Sequence, residues 1–344
     1  MGNPGIPSEM RAVLLSDYRA GTEEAISGLE VVRRPVGQPG RGEVLVRMEA
    51  APVNPSDLLF LQGLYGVRKP LPAVPGWEGA GTVIAAGGGW FAGSLLGRRV
   101  ACGGQTDADG TWAEYHVAAA RRCIPLHREI DFEQGATALV NPLTAMGLTE
   151  MILRGKHAAA IQNAAVSQVG LMMVRMCRRS GIPLINIVRR QEQAAILHAM
   201  DERHVLDSSS EGFVEKLREL ANELRASIAF DAVAGEMTGT LLDAMSGRTT
   251  VVVYGALSAE KCRELDPIKV IFEGKRVQGF YLGHWLFRKS FPSMLRLVRK
   301  SQALIRDGTL RTHIARRIPL ADARAGLIDY IRHLSEGKAI LLLR

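Results

Sequence analysis

The rhythm of apolar and polar positions changes twice along the chain. Over the first part, residues 11–15, 43–50, 79–84, 97–101 and 112–117 alternate or form short apolar runs, the mark of half-buried strands. Pro70, Pro72, Pro75 and the glycine run 87–89 punctuate them as loops. Near residue 133 the period lengthens: residues 132–153 carry apolar side chains at helical spacing, with Asn141-Pro142 opening the longer helix. Then strands and helices alternate. Residues 157–161, 183–188, 204–206, 228–233 and 250–254 read as strands, and 168–179, 191–200, 212–224 and 238–245 as helices, with Gly181 stopping the first of them. Such a series predicts a parallel sheet covered by helices on both faces. The tail changes again, with helices over 291–307 and 321–334 and extended segments over 314–318 and 339–343. The predicted organisation is α/β: a β-rich first part, a middle built as a doubly wound sheet, and a mixed tail.

Length and composition fit that plan, because 344 residues at 47% hydrophobic are enough for two cored domains. The formal charge of +8 is spread in short clusters such as Arg189-Arg190 and Arg316-Arg317. None is interleaved with aromatic residues, so no nucleic-acid face is expected. A basic field of this kind favours an anionic cofactor or an acidic thioester carrier. The four cysteines (102, 123, 177 and 262) have no paired spacing, no apolar run has the length of a signal peptide, and no membrane span is apparent. A reducing, cytoplasmic location is the expectation.

Candidate chemistry begins at the turn after the strand ending in Ile161. Residues 162–170 read Gln-Asn-Ala-Ala-Val-Ser-Gln-Val-Gly and lead into a helix. A dinucleotide site needs small residues there, so that backbone N–H groups and a helix N-terminus reach a pyrophosphate. Ala164, Ala165 and Ser167 occupy positions where glycine is usual, Gln168 and Val169 follow, and Gly170 keeps the last glycine. The next strand ends in Val188-Arg189-Arg190, with no acid for a ribose hydroxyl. Guanidinium groups suit a 2′-phosphate, which points to NADPH. An ordinary strand–helix turn and a pair of solvated surface arginines are the alternatives. Tyr254, Gly255 and Ala256, after a later strand, fall where that cofactor crevice is expected. The eight histidines are scattered, and no Cys/His pair stands at ligand spacing, so no metal is expected.

Several segments together resemble the medium-chain dehydrogenase/reductase superfamily, and within it the zinc-free 2-enoyl thioester reductases and their quinone-reductase-like relatives. The segments are residues 51–57 (Ala-Pro-Val-Asn-Pro-Ser-Asp) with 62–65 (Gln-Gly-Leu-Tyr), residues 74–81 (Val-Pro-Gly-Trp-Glu-Gly-Ala-Gly), residues 140–145, 186–189 and 279–285 (Gly-Phe-Tyr-Leu-Gly-His-Trp). Zinc-dependent relatives have cysteine where Asn54 stands and His-Glu where Trp77-Glu78 stands. The chain departs from the pattern at Ser167-Gln168 and at Gly66, where the relatives carry a smaller residue and a proline.

The resemblance implies a Rossmann domain (residues 134–288) inserted into a GroES-like catalytic domain (residues 1–133 and 289–344), bound NADPH, and reduction of an α,β-unsaturated carbonyl. It implies Tyr65 as proton donor, or as a donor in the same network. Asn54 and Thr144 are candidates for hydrogen bonds to the nicotinamide half of the cofactor, a structural cap or turn being the alternative for each, and Phe280 and Leu282 are candidates for the wall beside it. Trp285, together with Phe280, is the candidate for an acyl pocket, with a core position the equal alternative. A small-molecule or thioester substrate and a homodimer are the expected partners. Three functions stay open: an enoyl thioester reductase, a quinone or enone reductase of the same fold, and a non-catalytic NADPH-binding protein.

Overall fold

Alternation of buried and exposed positions closes the first part of the chain into sheets. The computed structural model describes residues 6–334 and 336–344. Strand β1 (Glu9–Leu14) pairs antiparallel with β2 (Glu30–Pro35), with helix α1 (Thr22–Ser27) between them. Then come β3 (Glu43–Pro52), α2 (Pro55–Leu61), β4 (Glu78–Ala86), a single turn α3 (Trp90–Gly93), β5 (Arg99–Gly103), β6 (Tyr115–Ala119), β7 (Cys123–Pro125) and α4 (Phe132–Ala136). Close approach of β3 and β4 excludes side chains: a Cβ on Gly81 would strike the Arg47 carbonyl oxygen and lie 2.8 Å from Val46 Cγ1. The predicted strand at 112–117 starts later. Trp112 is instead fully buried in the core, its indole N–H donating to the Pro52 carbonyl at 3.2 Å.

The second part is the alternating series. It runs α5 (Val140–Gly155), β8 (Ala159–Gln162), α6 (Gln168–Arg179), β9 (Leu184–Val188), α7 (Gln191–His198), β10 (Val205–Asp207), α8 (Phe213–Glu223), β11 (Ala226–Asp231), α9 (Glu236–Ala244) and β12 (Thr250–Val253). After these come α10 (Pro267–Phe272), β13 (Arg276–Gly279), α11 (Leu282–Phe287) and α12 (Phe291–Arg306). The six strands are parallel in the order β10-β9-β8-β11-β12-β13, a Rossmann arrangement whose direction of winding reverses between β8 and β11. Its core is aliphatic: Ile161, Ile185, Leu217, Leu241 and Val251.

The tail returns to the first sheet. Strand β14 (Ile314–Pro319), helix α13 (Ala323–Ile331) and strand β15 (Lys338–Leu342) complete a seven-stranded sheet in which β15 pairs antiparallel with β3. The chain thus divides into two units, Met1–Val140 with Val298–Arg344, and Asn141–Leu297. The changes of period near 133 and 289 placed the divisions earlier. In the structure they fall at the start of α5 and within α12, because a helix carries its period straight across a boundary between units.

Candidate active site

In the first unit the chemistry gathers at the start of α2. Asn54, in extended conformation, precedes Pro55 at the first helical position, an arrangement that suits a helix start. Asp57, three residues on, reaches back: its Oδ2 accepts the Asn54 N–H at 2.7 Å and its Oδ1 accepts the Trp77 N–H at 3.0 Å. The Asn54 carboxamide donates through Nδ2 to Glu78 Oε1 at 3.0 Å and accepts from Lys338 Nζ at 2.7 Å. Glu78 uses its other oxygen to accept the N–H groups of Leu139 and Val140, both at 2.9 Å, which satisfies the open first turn of α5.

All four of these side chains are buried, Asn54, Asp57 and Glu78 at 1% exposure or less and Lys338 at 3%. Burial disfavours charge in the three that ionise, Asp57, Glu78 and Lys338. It lifts the Asp57 carboxyl to about 7, with the nearby Glu78 charge adding to the effect. It raises Glu78 as well, and it lowers the Lys338 ammonium to about 8 against the pull of the two carboxylates. Removing one partner from such a set typically costs about 3–5 kcal/mol, because the others keep their burial without their bonds.

Tyr65 hangs from the end of α2, its N–H donating to the Leu59 carbonyl at 3.2 Å. Its half-buried ring packs on Trp77 at 5.1 Å between centroids, and the Trp77 indole donates to Ser56 in the first turn of α2 at 3.3 Å. The ammonium of Lys69, itself buried, lies over the Trp77 ring at 4.8 Å. His116 is buried too, which lowers its imidazole to about 4 and keeps it neutral near pH 7.

In the second unit the carboxyl ends of β8, β11 and β12 converge. Ala164 takes a left-handed φ of 48°, and Ala165, fully buried, spends its N–H on the Ile187 carbonyl at 3.2 Å. Its part in the turn is therefore close packing. Ser167 caps α6, its Oγ accepting the Gly170 N–H at 3.1 Å. Gly170 has to be glycine, since a Cβ there would run into the Ala165 carbonyl and sit 2.7 Å from that of Ala164. Gln168 and Val169 form the first turn of α6, where N–H groups lack intrahelical acceptors.

Beside this turn Asp231 accepts from Asn163 Nδ2 at 2.6 Å, from the Val233 and Ala234 N–H groups at 2.9 Å each, and from Thr238 Oγ1 at 2.6 Å. Asn163 returns a bond to β11's end, accepting the Ala232 N–H at 2.7 Å. These bonds tie β8 to β11 at the point where the winding reverses. Arg189 and Arg190, exposed, follow β9. Tyr254, Gly255 and Ala256 follow β12, and the Tyr254 hydroxyl is buried with no partner among the described residues. Burial raises its pKa further above the ordinary phenol range.

Thr144 is buried on α5. One turn further, a Cβ on Gly147 would meet the Phe280 ring at 2.6 Å and that of Trp285 at 3.3 Å, so helix and aromatics are in contact. Leu282 opens α11. Trp285 lines a cavity of about 320 Å³ with Glu150, Met151, His157 and Thr250, roomy enough for a small ligand. His157 precedes β8, and Ile228 and Thr250 lie at or near the starts of their strands, so the cavity sits toward the amino ends of the sheet, away from the crevice.

Pattern reading missed Asp57, Lys338, Asn163 and Asp231. Asn54-x-x-Asp57 is the spacing of a reciprocal helix cap and would have found Asp57. Lys338 lies 284 residues from Asn54 and carries no local signal. Among the described residues no group of three or more His, Cys, Asp or Glu is placed to hold a metal ion, and the position next to Glu78 is filled by Asn54 and Lys338.

Comparison with known proteins agrees with this geometry. The model of the alcohol dehydrogenase GroES-like domain matches residues 40–128, and that of the zinc-binding dehydrogenase family matches residues 169–300. The chain is 30% identical to the mitochondrial enoyl-[acyl-carrier-protein] reductase of Arabidopsis thaliana over 88% of its own length and 80% of that relative. A candidate NADPH:quinone reductase of Mesorhizobium loti superposes with a TM-score of 0.91 at 32% identity, covering 98% of this chain and 99% of the other. A mycobacterial protein determined with NADPH gives 0.82 at 25% identity, over 97% and 99% of the two chains. With the Rossmann order, the GroES-like sheet and a non-metal set at Asn54 and Glu78, the chain belongs to the medium-chain dehydrogenase/reductase superfamily, in its zinc-free enoyl reductase and quinone oxidoreductase-like subgroup.

Proposed function

We propose that this chain uses NADPH to reduce the carbon–carbon double bond of an α,β-unsaturated carbonyl compound, with a trans-2-enoyl thioester as the preferred substrate. The observation that carries the reading is the pairing of a glycine-tight helix start at Gly170 with two exposed arginines, and no acid, after β9. That combination suits a pyrophosphate and a 2′-phosphate together. The orphaned Tyr254 hydroxyl, a buried donor at the carboxyl end of β12, fits the same ligand. When bound, NADPH supplies a hydride for the β-carbon of the acceptor. Each charge-assisted bond to a phosphate contributes about 1.5–3 kcal/mol. Replacing both Arg189 and Arg190 by Ala is therefore expected to raise KM for NADPH by about 10²-fold while leaving NADH little changed. Steady-state kinetics with the two dinucleotides measures this, and an equal loss for both would reject the assignment.

The first unit supplies proton chemistry. As hydride adds to the β-carbon, negative charge moves to the carbonyl oxygen and the α-carbon needs a proton. Tyr65 is the donor in this reading, its phenol held at the end of α2 and against Trp77. The enoyl-[acyl-carrier-protein] reductase relative favours a thioester. The quinone reductase neighbour of similar identity supports the second reading, a quinone or enone acceptor. Side-by-side kcat/KM for crotonyl-CoA and a 1,4-quinone separates the two. The expected order places crotonyl-CoA first, and Tyr65→Phe is expected to lower its kcat by about 10²-fold. Unchanged turnover in that variant would remove Tyr65 from the mechanism.

A homodimer through the edge of the Rossmann sheet belongs to the same proposal. Strand β13 is exposed along its length, and Ile268, Ile271, Phe272, Phe287 and Phe291 around it are between 59% and 90% exposed, an apolar surface of the kind that interfaces cover. Light scattering is expected to give twice the chain mass, and Ile271→Asp with Phe272→Asp is expected to halve it; a monomeric parent chain would contradict the assembly. The reducing, cytoplasmic location stays part of this reading, and the exposed free thiol of Cys262 is compatible with it.

A further inference from the structure

We propose that Lys338 is a positioning residue for Tyr65, acting through Asn54: its ammonium, brought in by the last strand of the chain, fixes the carboxamide that starts the helix from which Tyr65 hangs. The inference rests on the reading of Tyr65 as proton donor. It begins from the geometry of one carboxamide. Lys338 Nζ donates to Asn54 Oδ1 at 2.7 Å and to the Val53 carbonyl at 3.2 Å, while Asn54 Nδ2 donates to Glu78 Oε1 at 3.0 Å. A carboxamide has two orientations related by a flip. The flipped one would set N–H groups against an ammonium and an oxygen against a carboxylate, two repulsions without water to soften them. Ammonium and carboxylate together select one orientation and hold the residue at the mouth of α2.

From there the contacts run to the phenol by two routes. Asn54 donates its backbone N–H to Asp57, whose second oxygen holds the Trp77 N–H, and the Trp77 ring carries Tyr65 at 5.1 Å. Asn54 is also the first residue before α2, and the far end of α2 holds the Tyr65 backbone through Leu59. Lys338 is the one cation bonded to this set among the described residues, which otherwise holds two buried carboxylates. Replacing it by an apolar side chain leaves the Asn54 oxygen without its donor and the carboxylates without their counter-charge. The helix start then loosens, and the phenol loses its fixed place. A misplacement on the scale of an ångström is enough to slow a reaction by about 10²-fold.

A cofactor-saturated double-mutant cycle on the full chain tests this. The variants are Lys338→Met, Asn54→Ala and the pair together, each assayed for kcat and for NADPH KM with the best acceptor. Hydrogen exchange of the peptide spanning residues 54–65 is followed in parallel. We expect Lys338→Met and Asn54→Ala each to lower kcat by about 10²-fold, with NADPH KM held within about twofold in Lys338→Met, and the pair to be no slower than the slower single. We also expect exchange in 54–65 to rise several-fold in Lys338→Met while that of residues 159–188 stays as in the parent. Where Lys338→Met does not fold, Lys338→Gln takes its place in the cycle under the same expectations. Losses that multiply, or a kcat and a 54–65 exchange that match the parent, would overturn the proposal. A parent chain that reduces no acceptor would sink the proposed function instead, and the exchange measurement would still decide the role of Lys338.

Discussion

A polar group withdrawn from water has to find its hydrogen bonds inside the protein, and both halves of the candidate machinery are organised by that demand. In the first unit the demand falls on Asn54, Asp57, Glu78 and Lys338; in the second it falls on Asn163, Asp231 and Thr238. Each set is buried, each lies where a strand gives way to a turn or helix, and each binds the backbone of the segment that carries the chemistry. Glu78 holds the opening turn of α5, and Asp231 holds the loop after its own strand at Val233 and Ala234. Satisfying buried carboxylates therefore also fixes the loops, and rigid loops are what catalysis by orientation requires.

The second unit shows how a degraded glycine pattern still makes a dinucleotide turn. What the turn requires is room for the backbone, and glycine is one way to supply it. Ala164 accepts a left-handed conformation at some cost, Ala165 tucks its methyl into the sheet, and only at Gly170 do two carbonyl oxygens leave no room for a Cβ. The arginines beyond β9 are the proposed source of the discrimination that an acid would give in the opposite direction.

Local pattern made the strand and helix series legible from residue 159 to 253, including α6 to the residue, because a covered parallel sheet imposes period and length on its segments. The short strand β13 and helices α10 and α11 escaped, since they bury little and so carry little periodicity. Among candidate site residues, Tyr65, Gly170 and the arginine pair stand out in the sequence by type and place in a motif. Lys338 could not, because its role depends on a sheet pairing between the end of the chain and β3 that no local signal encodes. Trp285 is an acyl-pocket candidate by sequence, and the cavity it lines in the structure lies toward the amino ends of the strands. Side-chain direction along a short helix such as α11 is not readable from aromatic spacing alone.

Hydride from reduced dinucleotide phosphate goes to the β-carbon of a conjugated acceptor while a proton from the protein or solvent goes to the α-carbon. Isotope tracing asks this directly. Reduction of a trans-2-enoyl thioester with NADPH carrying deuterium at both C4 positions, in ordinary water, should give a product carrying one deuterium, at the β-carbon. The reverse labelling, in deuterated water with unlabelled NADPH, should place it at the α-carbon. A product with no label from the cofactor, or with cofactor label at the α-carbon, would contradict the account.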